Sequence, residues 1–335
     1  MPPERPLLTI AIPTYNRSIY LKKLLDELAP QLLHEGRAEI LISDNASPDD
    51  TPAVVDNFVR MFPGARYVRN PENIGSDANF LQCYNLAQGE YVWIFGDDDV
   101  LVEGGLRQIL EVLAAREYDM LYVSSRQFRD RYVPPDPGEL TGRLMTFSDC
   151  STFALRVGTG LAFISGNILR KSRIEAVLHQ DFGEFVGSNL VHLSWTYTLL
   201  AQQPKCAIVR DPLVANKTEN TGGFGTCKVF GENIHQMAQR ILGEHSALGK
   251  ALINRNLQSF LPWATVQDRS GKSIRNLKEK PEDILHEIYK ENFRYWIFLL
   301  PILKLPLPLA KAWLFAVRVT NRVDQLLDFP LTRGT

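Results

Sequence analysis

The sequence predicts an α/β fold, a parallel sheet with helices on both faces, continued by a helical C-terminal region. Three observations carry the prediction. Short apolar runs alternate with segments whose apolar residues recur at helical spacing, the pattern of β-α units. Every such run in the first hundred residues ends in a polar cluster, and in a parallel sheet ligands sit beyond the carboxyl ends of the strands. The fourth run, Tyr91-Val92-Trp93-Ile94-Phe95, closes on Gly96-Asp97-Asp98-Asp99. Three adjacent carboxylates repel one another, so a solvated turn or a bound cation has to hold them.

In chain order, residues 7–12 read as a central strand ended by Pro13. Asn16 or Ser18 is placed to cap a helix carrying Tyr20, Leu21, Leu24, Leu25 and Leu28 on one face. Residues 39–43 read as the second strand, Asp44-Asn45-Ala46-Ser47 as its exit loop, and 51–61 as a helix with Pro52 just inside its start. A third strand over 66–68 leads through Asn73-Ile74-Gly75 into a helix over 76–86. After the aspartates come a helix over 104–116, a strand over 119–124, a Pro-rich excursion over 129–136, a buried strand over 163–169 and a helix over 170–179. The stretch 215–225 has the polarity and glycine content of a loop that closes over a ligand. Beyond Lys228 the pattern is helical, over 229–242, 247–260 and 282–292.

Composition excludes some classes. The chain has 335 residues, room for a full core, and a net charge of −1, which gives no global attraction to nucleic acid. Four scattered cysteines suggest neither a zinc ribbon nor a disulfide framework, and the N-terminal residues lack the apolar core of a signal peptide, so a reducing compartment is expected. No Gly-x4-Gly-Lys-Ser/Thr loop occurs, and Phe163 stands where a dinucleotide fingerprint beginning at Gly158-x-Gly160 wants glycine. A rim of carboxylates, amides, an arginine and an aromatic suits a nucleotide held through a divalent ion instead.

Four motifs, Pro13-Thr14-Tyr15-Asn16-Arg17, Ser43-Asp44-Asn45-Ala46-Ser47, Asn73-Ile74-Gly75 and Phe95-Gly96-Asp97-Asp98-Asp99, in this order, resemble the nucleotide-sugar-binding half of the family 2 glycosyltransferases with the GT-A fold, whose sheet is Rossmann-like. The resemblance covers about the first third of the chain. It implies that Pro13, Thr14, Tyr15, Arg17 and Asp44 hold the nucleoside, that Asn73 and Gly75 lie near the ribose and diphosphate, and that Asp97 and Asp98 contribute to nucleotide binding. It further implies Mn2+ or Mg2+ on Asp99 and Asp97, while His192, by its own chemistry, is a candidate base, acceptor hydrogen-bonder or third metal ligand. Many members carry an acid where this chain has Gly96. The Phe-Gly-Asp-Asp-Asp ending and Gly187-Ser188-Asn189-Leu190-Val191-His192 are similar to the abequosyltransferase-like group, which adds a dideoxyhexose from a cytidine diphosphate sugar to lipid-linked O-antigen units; uridine and thymidine donors stay open.

The implied activity is a metal-dependent transfer of sugar from a nucleoside-diphosphate sugar to a polyprenyl-diphosphate-linked oligosaccharide. The implied organisation is a nucleotide-sugar half over 1–125, an acceptor half over 126–227 and a helical region over 228–335. An inverting transferase needs a carboxylate base, which the family supplies from an acidic pair opening a helix after the acceptor region. Here that place is Val191-His192, so the candidates are Asp181, Glu184 and His192. Ser165-Gly166-Asn167 is placed to line an acceptor pocket, and Lys217 to meet the diphosphate. The apolar stretch 293–322, broken by Pro301, Pro306 and Pro308 and rich in aromatics and lysines, suits a segment lying in a bilayer interface, which puts the chain on the cytoplasmic face of the plasma membrane; a homo-oligomer contact is the competing use of the same residues. Two other functions compete: a sugar nucleotidyltransferase, for which residues 14–17 lack a triphosphate loop, and a non-catalytic nucleotide-sugar-binding module, favoured by the missing acid.

Overall fold

The computed structural model describes residues 5–33, 35–62, 64–128, 132–134, 140–177, 180–217, 224–271 and 279–327, the side chains of 320–327 excepted. The chain forms two compact units, Met1–Glu219 and Asn220–Thr335.

In the first unit the described strands are β1 (Leu8–Thr14), β2 (Ala38–Asp44), β3 (Arg66–Arg69), β4 (Tyr91–Ile94), β5 (Val100–Leu101), β6 (Met120–Phe128), β7 (Leu144–Thr146), β8 (Asn167–Arg170) and β9 (Cys206–Lys217). They make one sheet in the order β3-β2-β1-β4-β8-β6-β9-β5, with β7 paired to β9. The helices are α1 (Ser18–Leu32), α2 (Thr51–Met61), α3 (Ser76–Leu86), α4 (Gly105–Ala114), α5 (Cys150–Val157), α6 (Lys171–Glu175) and α7 (Val191–Leu200). All seven residues of β1 are buried, as covered faces on both sides require. Leu21, Leu24, Leu25 and Leu28 of α1 join that core, whereas Tyr20 stays exposed.

The first four β-α units follow the sequence pattern, but four expectations are corrected. The sheet is mixed. β8 runs antiparallel between β4 and β6, and it enters the sheet through single-turn helices at Gly158–Ala162 and Ile164–Gly166 instead of a crossover helix. The strand read over 163–169 is therefore only Asn167–Arg170. The Asn167 amide donates to the carbonyls of Leu161 and Phe163 and holds the chain in turns where its apolar content suggests a strand. The following helix is described only to Glu175, with residues 178–179 outside the described part. Residues 215–217, read as a loop, are the end of β9, paired with β6 and β5; 218–223 lie outside the described residues, as does most of the 129–136 excursion.

The cap of α1 is the fourth correction. Neither Asn16 nor Ser18 caps through its side chain. Asp49, from the loop after β2, accepts the Ser18 N–H at 2.8 Å, and its other oxygen takes both the N–H and hydroxyl of Thr51 at the start of α2. One carboxylate thus ties two helix N-termini to the same edge of the sheet.

The second unit is helical. The predicted 229–242 helix alternates between π and α geometry, as Cys227–Asn233, Ile234–Met237 and Ala238–Leu242. Ala247–Gln258, Phe260–Arg269, Pro281–Tyr289, Tyr295–Leu299, Leu300–Lys304 and Leu307–Leu327 follow. Pro301 and Pro308 stand at helix starts, where a missing N–H costs nothing. Among the described residues no helix is long and apolar enough to cross a membrane.

Candidate functional site

The carboxyl ends of β1, β2 and β4 lie side by side because the strands are parallel and in register, with Thr14 opposite Asp44 and Ala11 opposite Ile94. Past β4 the Phe95 N–H still donates to Ala11, and a turn closed by the Asp99 N–H on the Gly96 carbonyl then presents the three aspartates. The β1 exit reaches across to them. The Thr14 hydroxyl donates to Asp97 Oδ2 at 2.8 Å, and one guanidinium nitrogen of Arg17 lies 3.0 Å from Asp97 Oδ1 and 3.1 Å from Asp98 Oδ2.

Asp99 is held by the segment just before β8. The Ser165 hydroxyl donates to Asp99 Oδ2 at 2.5 Å and accepts the Gly96 N–H at 2.8 Å. This arrangement accounts for glycine at 96, since a Cβ there would stand 2.9 Å from Asp99 Oδ2. Asp97 and Asp99 are buried, and burial pushes their carboxyls up to about 6 and about 8. For Asp97 the Arg17 charge pulls the other way while Asp98 adds to the rise. For Asp99 the Ser165 bond opposes the rise, as does the backbone amide of Lys217, and the charges of Asp98 and Asp97 reinforce it.

Beside this cluster Asp44 is fully buried and closes its own loop, accepting Ser47 N–H at 2.8 Å, Tyr67 OH at 3.0 Å and the Arg69 guanidinium at 3.3 Å. Asn45 stitches β2 to the next loop. Its amide nitrogen donates to Asn73 Oδ1 at 2.8 Å and to the Gly75 carbonyl, and its oxygen accepts from Ile74 N–H and Asn70. Gly75 itself has φ of 87°, a conformation that glycine adopts without strain. Tyr15 projects 43% exposed from the β1 exit. Lys217, at the end of β9, rests its ammonium on the Tyr20 ring, 3.1 Å from the hydroxyl.

Pro13, Thr14, Tyr15, Arg17, Asp44, Asn73, Gly75, Asp97, Asp98, Asp99 and Lys217 therefore belong to the first unit's strand ends and the loops that follow them. The trio Asp97, Asp99 and His192 is not assembled as a metal cage: among the described residues no three His, Cys, Asp or Glu side chains converge for a cation. His192 packs inside α7 instead. Its Nε2 donates to the Ala162 carbonyl at 2.8 Å, its ring meets Phe80 edge-on, and the space beside it, lined by Val92, Ile94, Ile164 and Trp195, holds no more than one water. Burial drives its pKa down to about 4, so it is neutral near pH 7. Asp181 caps the turn Phe182–Phe185 by accepting the Gly183 N–H, and Glu184 is exposed on the same turn.

Two residues organise the site in roles the sequence did not predict. Ser165, placed by the sequence along an acceptor pocket, is one: its hydroxyl braces Asp99 and the Gly96 amide. Asp77 is the other. Buried in the first turn of α3, it accepts the N–H groups of Gly187 at 2.9 Å, Asn189 at 2.7 Å and Val191 at 3.4 Å, and so fastens the Gly187-to-His192 segment to the helix that follows Asn73-Ile74-Gly75. Burial holds its carboxyl above the usual range despite these three donors.

Residues 9–165 match the family profile described as glycosyl transferase family 2. The abequosyltransferase RfbV of Salmonella typhimurium is 31% identical over 231 residues, 64% of this chain and 67% of that one. A GalNAc(5)-diNAcBac-PP-undecaprenol beta-1,3-glucosyltransferase of Campylobacter jejuni is 32% identical over 107 residues, 32% of this chain and 34% of that one. Among solved structures, residues 1–349 of Staphylococcus aureus TarS in complex with UDP-GlcNAc superpose with a TM-score of 0.66 at 16% identity, covering 92% of this chain and 88% of that one. That likeness identifies the fold as GT-A.

Proposed function

The chain belongs to glycosyl transferase family 2 and is a glycosyltransferase, and from that premise we propose that it moves a sugar from a nucleoside-diphosphate donor, with a dideoxyhexose favoured, to a hydroxyl of a polyprenyl-diphosphate-linked oligosaccharide in surface-polysaccharide synthesis. The single observation that carries the reading is the cluster at the ends of β1 and β4, where Thr14 and Arg17 clasp Asp97 and Asp98 while Ser165 holds Asp99. Support for the donor comes from the abequosyltransferase relative, and support for a lipid-linked acceptor from the undecaprenol-linked substrate in the Campylobacter enzyme's name.

Asp97 and Asp99 offer a divalent cation two carboxylates, fewer than a closed cage of protein ligands. Two buried carboxylates sit above their ordinary pKa range with one guanidinium facing the triplet, so a hard dication would relieve the strain of keeping them charged. Asp99 and Asp97 would hold Mn2+ or Mg2+, and the ion would neutralise charge on the diphosphate leaving group. Arg17 orients Asp97 and Asp98, Asp44 and Asn45 shape the nucleoside loops, and Tyr15 offers a face on which a base can stack. Lys217, released from Tyr20, reaches toward the phosphates.

The second unit supports attachment to the cytoplasmic membrane face. Phe293, Trp296, Ile297, Leu309, Trp313, Phe315 and Val319 are large, apolar and exposed, and Lys304, Lys311 and Arg318 lie among them in sequence. The test is thermal shift with nucleoside diphosphates and Mn2+, before and after EDTA, on wild type and Asp99→Ala. The reading requires a ligand-induced rise in Tm that EDTA and the substitution both remove. A rise unaffected by either would overturn the metal-linked site.

A further inference from the structure

The second unit contains a cleft of about 410 Å3 that the proposed transfer chemistry does not use. It lies among the segment Ile234–Leu242, the helix Ala247–Gln258 and the turn after Tyr289, and its lining includes His235, Lys250, Asn254, Glu291 and Arg294. Asn254 accepts from Asn292 at 2.8 Å and Gln239 bonds the His235 side chain, but the two cations of the cleft, Arg294 and Lys250, have no carboxylate partner among the described residues. The Arg294 guanidinium makes no hydrogen bond or ion pair among the described residues, its Nε is enclosed without an acceptor, and it rests over the Phe293 ring, 4.5 Å from the centroid. The His235 ring is set edge-on against Tyr289, and its side chain is bonded to Gln239. Lys250 stands exposed on the cleft with no carboxylate paired to it among the described residues.

A guanidinium can only donate, so the terminal nitrogens of Arg294, which have no acceptor among the described residues, are open to an oxyanion. A guanidinium and an ammonium on one cleft suit phosphate oxygens. Glu244 and Glu291 also line the cleft, but both are exposed and free to accept sugar hydroxyls. Next to the cleft in sequence, Phe293 is 59% and Trp296 48% exposed. The Trp296 indole N–H is spent on the Lys290 carbonyl at 2.7 Å, and that of Trp313 on Ile297 at 3.0 Å, so the surface these rings show outward is apolar.

We propose that this cleft binds the diphosphate of an isoprenoid-linked glycan, with Arg294 and Lys250 on the phosphate oxygens and the exposed rings of Phe293 and Trp296 against the first isoprene units. The assignment rests on the lipid-linked acceptor proposed above and gives that acceptor an anchoring site separate from the aspartate cluster. Free phosphate offers the same oxyanion, and the apolar rings favour the lipid form.

The test is calorimetric titration of the full chain, in EDTA, with inorganic pyrophosphate and with farnesyl diphosphate. Farnesyl diphosphate should bind more tightly than pyrophosphate, and Arg294→Gln should weaken both by about tenfold or more, the scale of a lost charge-assisted bond. Lys250→Gln, a substitution at an exposed position that leaves the fold intact, should weaken both as well, while Asp99→Ala changes neither. Wild-type affinity in both cleft variants, or loss of binding in Asp99→Ala, would overturn the proposal; equal affinity for the two probes would overturn the lipid part. The outcomes separate from those of the transfer reading: weakened binding in the cleft variants supports the cleft even if wild type transfers no sugar, and wild-type affinity in both removes the cleft while leaving the transfer reading standing.

Discussion

Replacing Asp77 tests whether the donor-loop helix and the segment leading into α7 are held as one piece. A hydrogen bond to a charged group contributes about 1.5–3 kcal/mol net, and this carboxylate accepts three backbone N–H groups. The nominal sum is too large, because burial that raises the carboxyl's pKa costs part of it, and because Gly187 and Asn189 are exposed and regain water once the acid is gone. A net cost of about 2–3 kcal/mol for Asp77→Ala remains. Asp77→Asn keeps one carbonyl oxygen, which can take the Oδ2 position and its two shorter bonds at 2.9 and 2.7 Å, so it should cost about 1 kcal/mol. Hydrogen exchange at the amides of Gly187, Asn189 and Val191 reads this locally: opening that costs less by this amount exchanges faster by about 30- to 160-fold in the alanine variant and about fivefold in the asparagine variant. Alanine and wild-type amides exchanging at the same rate would refute the lock.

Gly96→Ala should displace the Asp99 carboxylate, since the added Cβ stands 2.9 Å from Oδ2, and should destabilise the protein by about 1–3 kcal/mol while weakening Mn2+-linked nucleotide binding; denaturant midpoints and the thermal-shift response measure the two effects. His192 gives a pH signature. Its folded pKa of about 4 lies below the unfolded value of about 6.5, so between these values the unfolded chain binds more protons and stability falls as pH falls, by up to about 1.4 kcal/mol per pH unit. Above about pH 6.5 the contribution is flat, and His192→Gln should lose the acid-side slope in melting temperature measured between pH 4 and 7.

The sequence by itself determined the first four β-α units, because each rests on local information: apolar runs of strand length, helical spacing of leucines, and prolines at helix starts. It also located the polar clusters at strand ends, since parallel topology leaves those residues nowhere else to go. What it could not determine depends on partners far along the chain. Asp49 caps a helix that begins 31 residues earlier, Ser165 braces an aspartate 66 residues away, and Asp77 holds backbone amides more than a hundred residues on. The reversed strand β8 belongs with these, because an antiparallel neighbour is chosen by which sheet edge is open when the chain returns, and residues 167–170 carry no mark of direction. His192 shows the same limit from the other side: a histidine opening a helix has the chemistry of a ligand, and only the packing around it made it a buried neutral residue bonded to Ala162.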